Sequence, residues 1–369
     1  MIPQNELLAL LALSKVKMVG NHAIKSLISY CGKPSEVFKL PLSKLLKIPG
    51  VGPLTAQSIF EYKGFEEAEK EIEFIAKHHI KVTPYYDKTY PYRLNDIVDA
   101  PAYIFHLGDV DFNQARFIGI VGTRKNTLYG QQFTEQLVSD LKAYNVVIVS
   151  GLAYGIDIIA HKAAVKNDIP TIGVLAHGLD KVYPAAHTNT AKQMIKGGGA
   201  LIAEHFSGTI PDPENFPKRN RIVAGMIDAL VVVESDLKGG SMITAKLAAG
   251  YDREVLALPG RTEDGYSKGC NYLIKTQQAT LIEETNDLVK LLNWDLLNTK
   301  KQAQLKIPLD LPKDHQNIYN MIKLNGVTEL DFLMTTSGLN SSRLAFVLLE
   351  LEFKSLILSL PGKVYQLAR

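Results

Sequence analysis

Six short apolar runs punctuate the middle of the chain: FIGIV (117–121), VVIVS (146–150), TIGVLA (171–176), ALIAE (200–204), ALVVVES (229–235) and EVLALPG (254–260). They are apolar nearly throughout instead of alternating. Stretches with helical spacing lie between them, at 131–143, 156–166, 189–196, 221–227 and 241–251. A strand that is apolar on both sides needs cover on both sides, and parallel strands need a crossover to bring the chain back. The pattern therefore predicts a doubly wound α/β domain with a parallel sheet over residues 117 to about 292. Ligands of such sheets bind outside the carboxyl ends of the strands, so the residues after each run carry the functional argument.

Several of these strand ends combine small residues with a helix start. Gly122, Thr123 and Arg124 follow the first run; Ser150 ends the second, with Gly151 and Gly155 after it; Gly240 and Ser241 open a helix that contains Thr244. A helix start offers free N–H donors and the positive end of a dipole. One glycine corner is usually steric. Several together, with Arg124 among them, point to a row of phosphates. Neither G-x-x-x-x-G-K-[ST] nor G-x-G-x-x-G is present. A nicotinamide enzyme needs an acid at the end of its second strand; Ser150 and Gly151 stand there, which argues against NAD. The stretch ENFPKRNRIVAG (214–225) sets Lys218, Arg219 and Arg221 beside Phe216. An aromatic among basic residues fits a single strand, with bases on the ring and the backbone neutralised; a solvated helix start over a buried Phe fits the same residues. Asp157 and His161 share a helix face. Two ligands without a third make a poor metal site, so an interior hydrogen-bonded pair is expected and no metal or cofactor is assigned.

The flanks differ from the core. Residues 1–80 read as helical, and LLKIPGVGPLTAQSI (45–59) has the spelling of a helix-hairpin-helix. Its turn suits either a DNA phosphate or an ordinary corner in a protein-contact domain. Residues 81–116, with Pro84, Pro91 and Pro101, read as an extended connector packed along a neighbouring domain. A polar linker spans 294–312. Residues 313–369 outline a winged helix whose strand pair turns at Pro361-Gly362. Its supposed recognition helix is apolar and carries two glutamates, which suits protein contact better than a phosphate-lined groove.

Bulk properties exclude little. The net charge of +3 neither identifies nor forbids a nucleic-acid binder. Cys31 and Cys270 have no metal-ligand spacing, so two ordinary thiols are expected. The apolar run Leu7 to Leu13 is too short to span a bilayer and reads as a buried helix of a cytoplasmic protein.

Taken together, GIVGTRKNTLYG, VSGLAYGIDIIAH, TIGVLAHGLDKVYP, ENFPKRNRIVAG and VVVESDLKGGSMITAKLAAGYDREVLALPG resemble the DNA-processing protein A family (DprA, also called Smf). They come in the family's order, and the helical front and winged tail extend the likeness to nearly the full chain. The resemblance implies an N-terminal helix-hairpin-helix/SAM-like domain (1–80), an extended Rossmann-like domain (81–293) and a C-terminal winged-helix domain (313–369). It implies a homodimeric single-stranded DNA-binding protein, not an enzyme, that protects incoming DNA in natural transformation and loads the RecA recombinase. The family's phosphate turns fall on Gly122, Thr123 and Arg124; on Ser150, Gly151 and Gly155; and on Gly240, Ser241 and Thr244. Its strand grip falls on Phe216, Lys218, Arg219 and Asn220. Two positions depart from the pattern: Ala176 stands where the family often has Gly, and His187 where it often has Asn. The alternative is a nucleoside monophosphate phosphoribohydrolase with the same core. Such enzymes use P-G-G-x-G-T-x-x-E, whereas KGGSMITAK here has Met242 and Ile243 for Gly-Thr and no acid in place.

Overall fold

A computed structural model describes residues 2–113, 116–294, 311–354, 356–360 and 364–367. The chain forms two compact units, Met1–Leu297 and Asn298–Arg369.

The first unit is built on a nine-stranded sheet. Its strands are β1 (Lys81–Pro84), β2 (Tyr103–Gly108), β3 (Phe117–Val121), β4 (Val147–Ser150), β5 (Thr171–Val174), β6 (Ala200–Ala203), β7 (Ala229–Val232), β8 (Glu254–Ala257) and β9 (Thr280–Leu281). They lie in the order β1-β2-β6-β5-β4-β3-β7-β8-β9. From β6 to β9 all neighbours are parallel; β1 and β2 join antiparallel at one edge. Each of the six apolar runs supplies a strand, because each buries side chains on both sides. In β3, Phe117 and Val121 enter one core with Ile222 and Ala245, while Ile118 and Ile120 enter the opposite core with Leu137 and Ala160. Helices Asn215–Gly225 and Gly240–Gly250 cover the first face; Leu128–Leu141 and Ile156–Lys166 cover the second. The fold is a doubly wound, extended Rossmann-like α/β sheet. The chain proceeds from β3 outward to β6, then returns to β7 on the other side of β3. That reversal opens a crevice at the carboxyl ends of β3 and β7.

The stretch 81–116 is more than a connector. It contributes β1, β2 and the short helix Tyr92–Asn95. Its prolines do forbid long helices, but Pro84 ends an edge strand, where a missing N–H costs little. Arg93 is fully buried and reaches Asp228, with Nε to Oδ1 2.7 Å and Nη2 to Oδ2 2.9 Å; Asp228 also accepts the Phe117 N–H at 2.7 Å. This pair fastens the segment to the start of β3.

The front helices include Gln4–Lys15, where Leu10, Leu11 and Leu13 are fully buried. They share a core with Tyr103 and Phe105 of β2 and with Phe206, so packing continues across residues 80 and 81. The one-turn helix Leu42–Leu45 and the helix Pro53–Phe60 flank the expected hairpin, with Gly50 at φ +80°. Cys31 and Cys270 are free thiols. Among the described residues no helix is long and apolar enough to cross a membrane.

The second unit runs helix Lys313–Asn325, β10 (Thr328–Glu329), helices Leu330–Ser337 and Ser341–Phe353, then β11 (Ile357–Leu360) and β12 (Val364–Leu367). The strands pair antiparallel in the order β10-β12-β11, consistent with a winged helix. Helix Ser341–Phe353 buries Leu344, Val347, Leu348 and Leu351, yet Phe346, Leu349 and Phe353 remain exposed. The Pro361-Gly362 turn, and the linker over 295–310, lie outside the described residues.

Candidate nucleic-acid interface

A cleft of about 760 Å³ lies at the crevice between β3 and β7. It is lined by Gly122, Thr123 and Arg124 after β3, by Gly151 after β4, and by Phe216, Arg219 and Asn220 from helix Asn215–Gly225. Gly240, Ser241 and Thr244 line it from helix Gly240–Gly250. Ten of the thirteen residues singled out from sequence thus surround one space. Ser150 is buried, with its hydroxyl given to the Ile120 carbonyl at 2.6 Å; Gly155 packs behind the cleft, and Lys218 is exposed outside its lining.

The three turns are not equivalent. At the first, Gly122 is required by packing: a Cβ there would stand 2.5 Å from Ile156 Cγ1. The Thr123 N–H donates to the Glu234 carbonyl at 2.6 Å, and the Thr123 carbonyl accepts the Ile156 N–H at 3.2 Å. That second bond closes the first amide of helix Ile156–Lys166, and Gly155, at φ +76°, is pressed against the same Thr123 carbonyl. The Gly151–Gly155 turn is therefore satisfied from within. The third turn is open. The Gly240 and Ser241 N–H groups have no acceptor among the described residues, and a Cβ at Gly240 would meet nothing within 4 Å. Backbone donors at a helix start, facing a cleft, suit an anion.

Arg219 is placed differently from the exposed strand grip expected of it. It is 6 % exposed at the cleft floor. Its Nη1 donates to the Gly151 carbonyl at 2.6 Å and to the Val174 carbonyl, and its Nε to Asn220 Oδ1 at 3.2 Å. Nη2 has no hydrogen-bond partner among the described residues. A side chain on Gly151 would collide with the guanidinium, so this glycine makes room for arginine. Burial brings the Arg219 pKa down to about 10, a shift that the Asp157 charge opposes. It remains a cation at neutral pH. Arg221, counted in the same basic cluster, points elsewhere and pairs with Glu204.

Asp157 and His161 are not bonded to each other. Asp157 accepts the Gly151 and Ala153 N–H groups at 3.1 and 3.4 Å, while His161 Nδ1 meets Thr171 Oγ1 at 2.7 Å. Burial raises the Asp157 carboxyl above its ordinary value, with Arg219 opposing; burial lowers His161 to about 3 and keeps it neutral. Among the described residues no group of three His, Cys, Asp or Glu is placed to hold a metal ion.

The rim carries cations and rings. Arg124 is exposed, with its guanidinium 5.7 Å from the centre of the Phe216 ring, and the Tyr183 ring centre lies 6.2 Å from the same point. Lys125, Lys238 and Tyr266 also line the cleft, as does the acid Asp236. Sequence reasoning passed over Tyr183 and Lys238. Lys238 adjoins the Gly239-Gly240 corner, a signal within reach; Tyr183 arrives from a loop after β5 that only the fold brings to Phe216.

Residues 81–293 match the family model described as DNA recombination-mediator protein A. Protein Smf of Escherichia coli is 32% identical over 300 residues, 79% of this chain and 78% of that protein. DNA processing protein DprA of Bacillus subtilis is 41% identical over 210 residues, 57% of this chain and 70% of that protein. The X-ray structure of DNA processing protein A from Streptococcus pneumoniae superposes with a TM-score of 0.66 at 31% identity, covering 79% of this chain and 98% of that one. DNA processing protein A from Helicobacter pylori, described for its single-stranded DNA binding mode, superposes with a TM-score of 0.53 at 30% identity over 59% and 99% of the two chains.

Proposed function

The chain belongs to the DNA recombination-mediator protein A family, and on that premise we propose that its cleft binds single-stranded DNA. The observation that carries the proposal is the meeting, in one space, of open backbone donors at Gly240 and Ser241, the Arg124 guanidinium, and the Tyr183–Phe216 ring pair. Phosphates lie along Arg124, Lys125, Lys238 and the Gly240 helix start. A base stacks against Phe216. Contacts to backbone and ring faces favour any sequence, and a paired second strand keeps its bases from the rings. The two carboxylates that line this space, Asp157 and Asp236, each accept a backbone N–H of their own chain, which supports binding without bond-breaking.

The family's role extends the proposal. The bound strand is protected and handed to the RecA recombinase during transformation, with residues 81–293 as the strand-binding domain. Two clefts in a homodimer gain avidity on one strand. Filament nucleation by RecA on coated DNA, with and without this protein, tests the loading step; sedimentation tests the dimer.

Fluorescence anisotropy with an unstructured oligonucleotide tests the cleft itself. Arg124→Ala is expected to weaken binding roughly tenfold and to make the log-affinity versus log-salt slope shallower by about 0.7, the value for one phosphate contact on a single strand. Phe216→Ala is expected to lose ~1–3 kcal/mol of stacking with the slope unchanged. Equal slopes in wild type and Arg124→Ala would remove Arg124 from the phosphate path.

A further inference from the structure

Glu234 is 3 % exposed and lies just after β7 in ALVVVES, the fifth of the six apolar runs, one residue before Ser235 of the cleft lining. Its carboxylate lies against the first turn of helix Leu128–Leu141. Oε2 accepts the Thr127 N–H at 2.9 Å, and Oε1 accepts the Thr127 hydroxyl at 2.5 Å. A side chain on Gly130 would overlap it. No Lys, Arg or His lies within 4.0 Å of its oxygens among the described residues. In a doubly wound fold the helix after the first parallel strand is where a bound nucleotide sets its phosphate, drawn by free amides and the helix dipole. Here a negative charge from the protein stands in that position.

We propose that Glu234 is a specificity-determining residue: its carboxylate fills the anion position at the amino end of helix Leu128–Leu141 and keeps free nucleoside phosphates out of the cleft. The inference rests on the cleft being the strand-binding site. A phosphate monoester carries about −1.5 to −2 at neutral pH, whereas each phosphodiester of a strand carries one charge. An internal carboxylate beside the first helix therefore repels a mononucleotide more strongly than a strand. It also holds Thr127, whose hydroxyl caps the helix by accepting the Gly130 N–H at 3.3 Å.

The experiment is direct calorimetric titration of wild type, Glu234→Gln and Glu234→Ala with dTMP, inorganic phosphate, thymidine and an oligothymidylate. Glu234→Gln keeps the side-chain shape and removes the charge. The expected result is a gain of about tenfold or more in affinity for dTMP and inorganic phosphate in both variants, the scale of an anion at a partly buried helix terminus. Thymidine, which has no phosphate, should bind the three proteins alike. If Glu234→Ala fails to fold, Glu234→Gln alone decides. Equal dTMP affinity in wild type and a folded Glu234→Gln overturns the inference. Failure of the wild type to bind the oligothymidylate overturns instead the reading of the cleft.

Discussion

Arg219→Ala is expected to destabilise the protein by about 3–5 kcal/mol, the range for removing one partner from a buried set of charges. The loss has two parts. The Gly151 and Val174 carbonyls lose their donor at the ends of β4 and β5, and Asp157 loses the cation that opposes its burial. Urea unfolding measures the size, and its pH dependence separates the second part. Asp157 is an acid whose folded-state pKa lies above its unfolded value, so the folded chain binds the proton more readily. Stability from such a group falls as pH rises from the unfolded carboxyl value, about 4, through the raised folded value. Removing Arg219 raises that folded value further. The deficit of the variant should therefore be greatest at neutral pH and shrink as pH is lowered toward the ordinary carboxylate range. A deficit independent of pH would mean that Arg219 acts only through its carbonyl bonds.

The second large effect is Gly155→Ala. Gly155 has φ +76° and ψ −129°, a conformation that residues with a Cβ rarely adopt. The added methyl would run into the Thr123 carbonyl and come within 2.8 Å of the Arg124 backbone. Strain of ~1–3 kcal/mol from the backbone alone, with the overlap added to it, should cost several kcal/mol in urea unfolding. It should also displace Thr123 and Arg124 and abolish tight oligonucleotide binding in the remaining folded protein. Gly240→Ala is the contrast: nothing stands within 4 Å of its Cβ position. It should leave stability nearly unchanged, and any effect should appear on DNA affinity. If Gly155→Ala unfolds no more easily than Gly240→Ala, the first turn does not lean on the second.

This contrast shows where the sequence was legible and where it was not. Strands such as ALVVV announce themselves because both faces are apolar, and helix Ile156–Lys166 ends where its spacing does. That the strand ends would surround one cleft followed from the sheet's topology. The glycines, however, look alike in sequence. Gly151 makes room for a guanidinium, Gly155 for a carbonyl, and Gly240 leaves its amide open; only neighbours from other elements distinguish them. Arg219 stands in a run of basic residues and reads as exposed, yet its partners, Gly151 and Val174, are more than forty residues away. Strands β1 and β2 were obscured by tyrosines and prolines at a sheet edge, where neither alternation nor an unbroken apolar run is required. Glu234 ends an apolar run and carries no motif, so its place under the helix Leu128–Leu141 emerged only from the packing.

The central claim is that a flexible polyanion lies across the carboxyl edge between β3 and β7. A crystal structure of the protein with a short oligothymidylate tests it most directly. The account predicts a phosphate at the Gly240 and Ser241 amides, another at Arg124, and a base on the Phe216 ring. An oligothymidylate seated on the hairpin within 45–59 or on helix Ser341–Phe353, with the cleft empty, would contradict it.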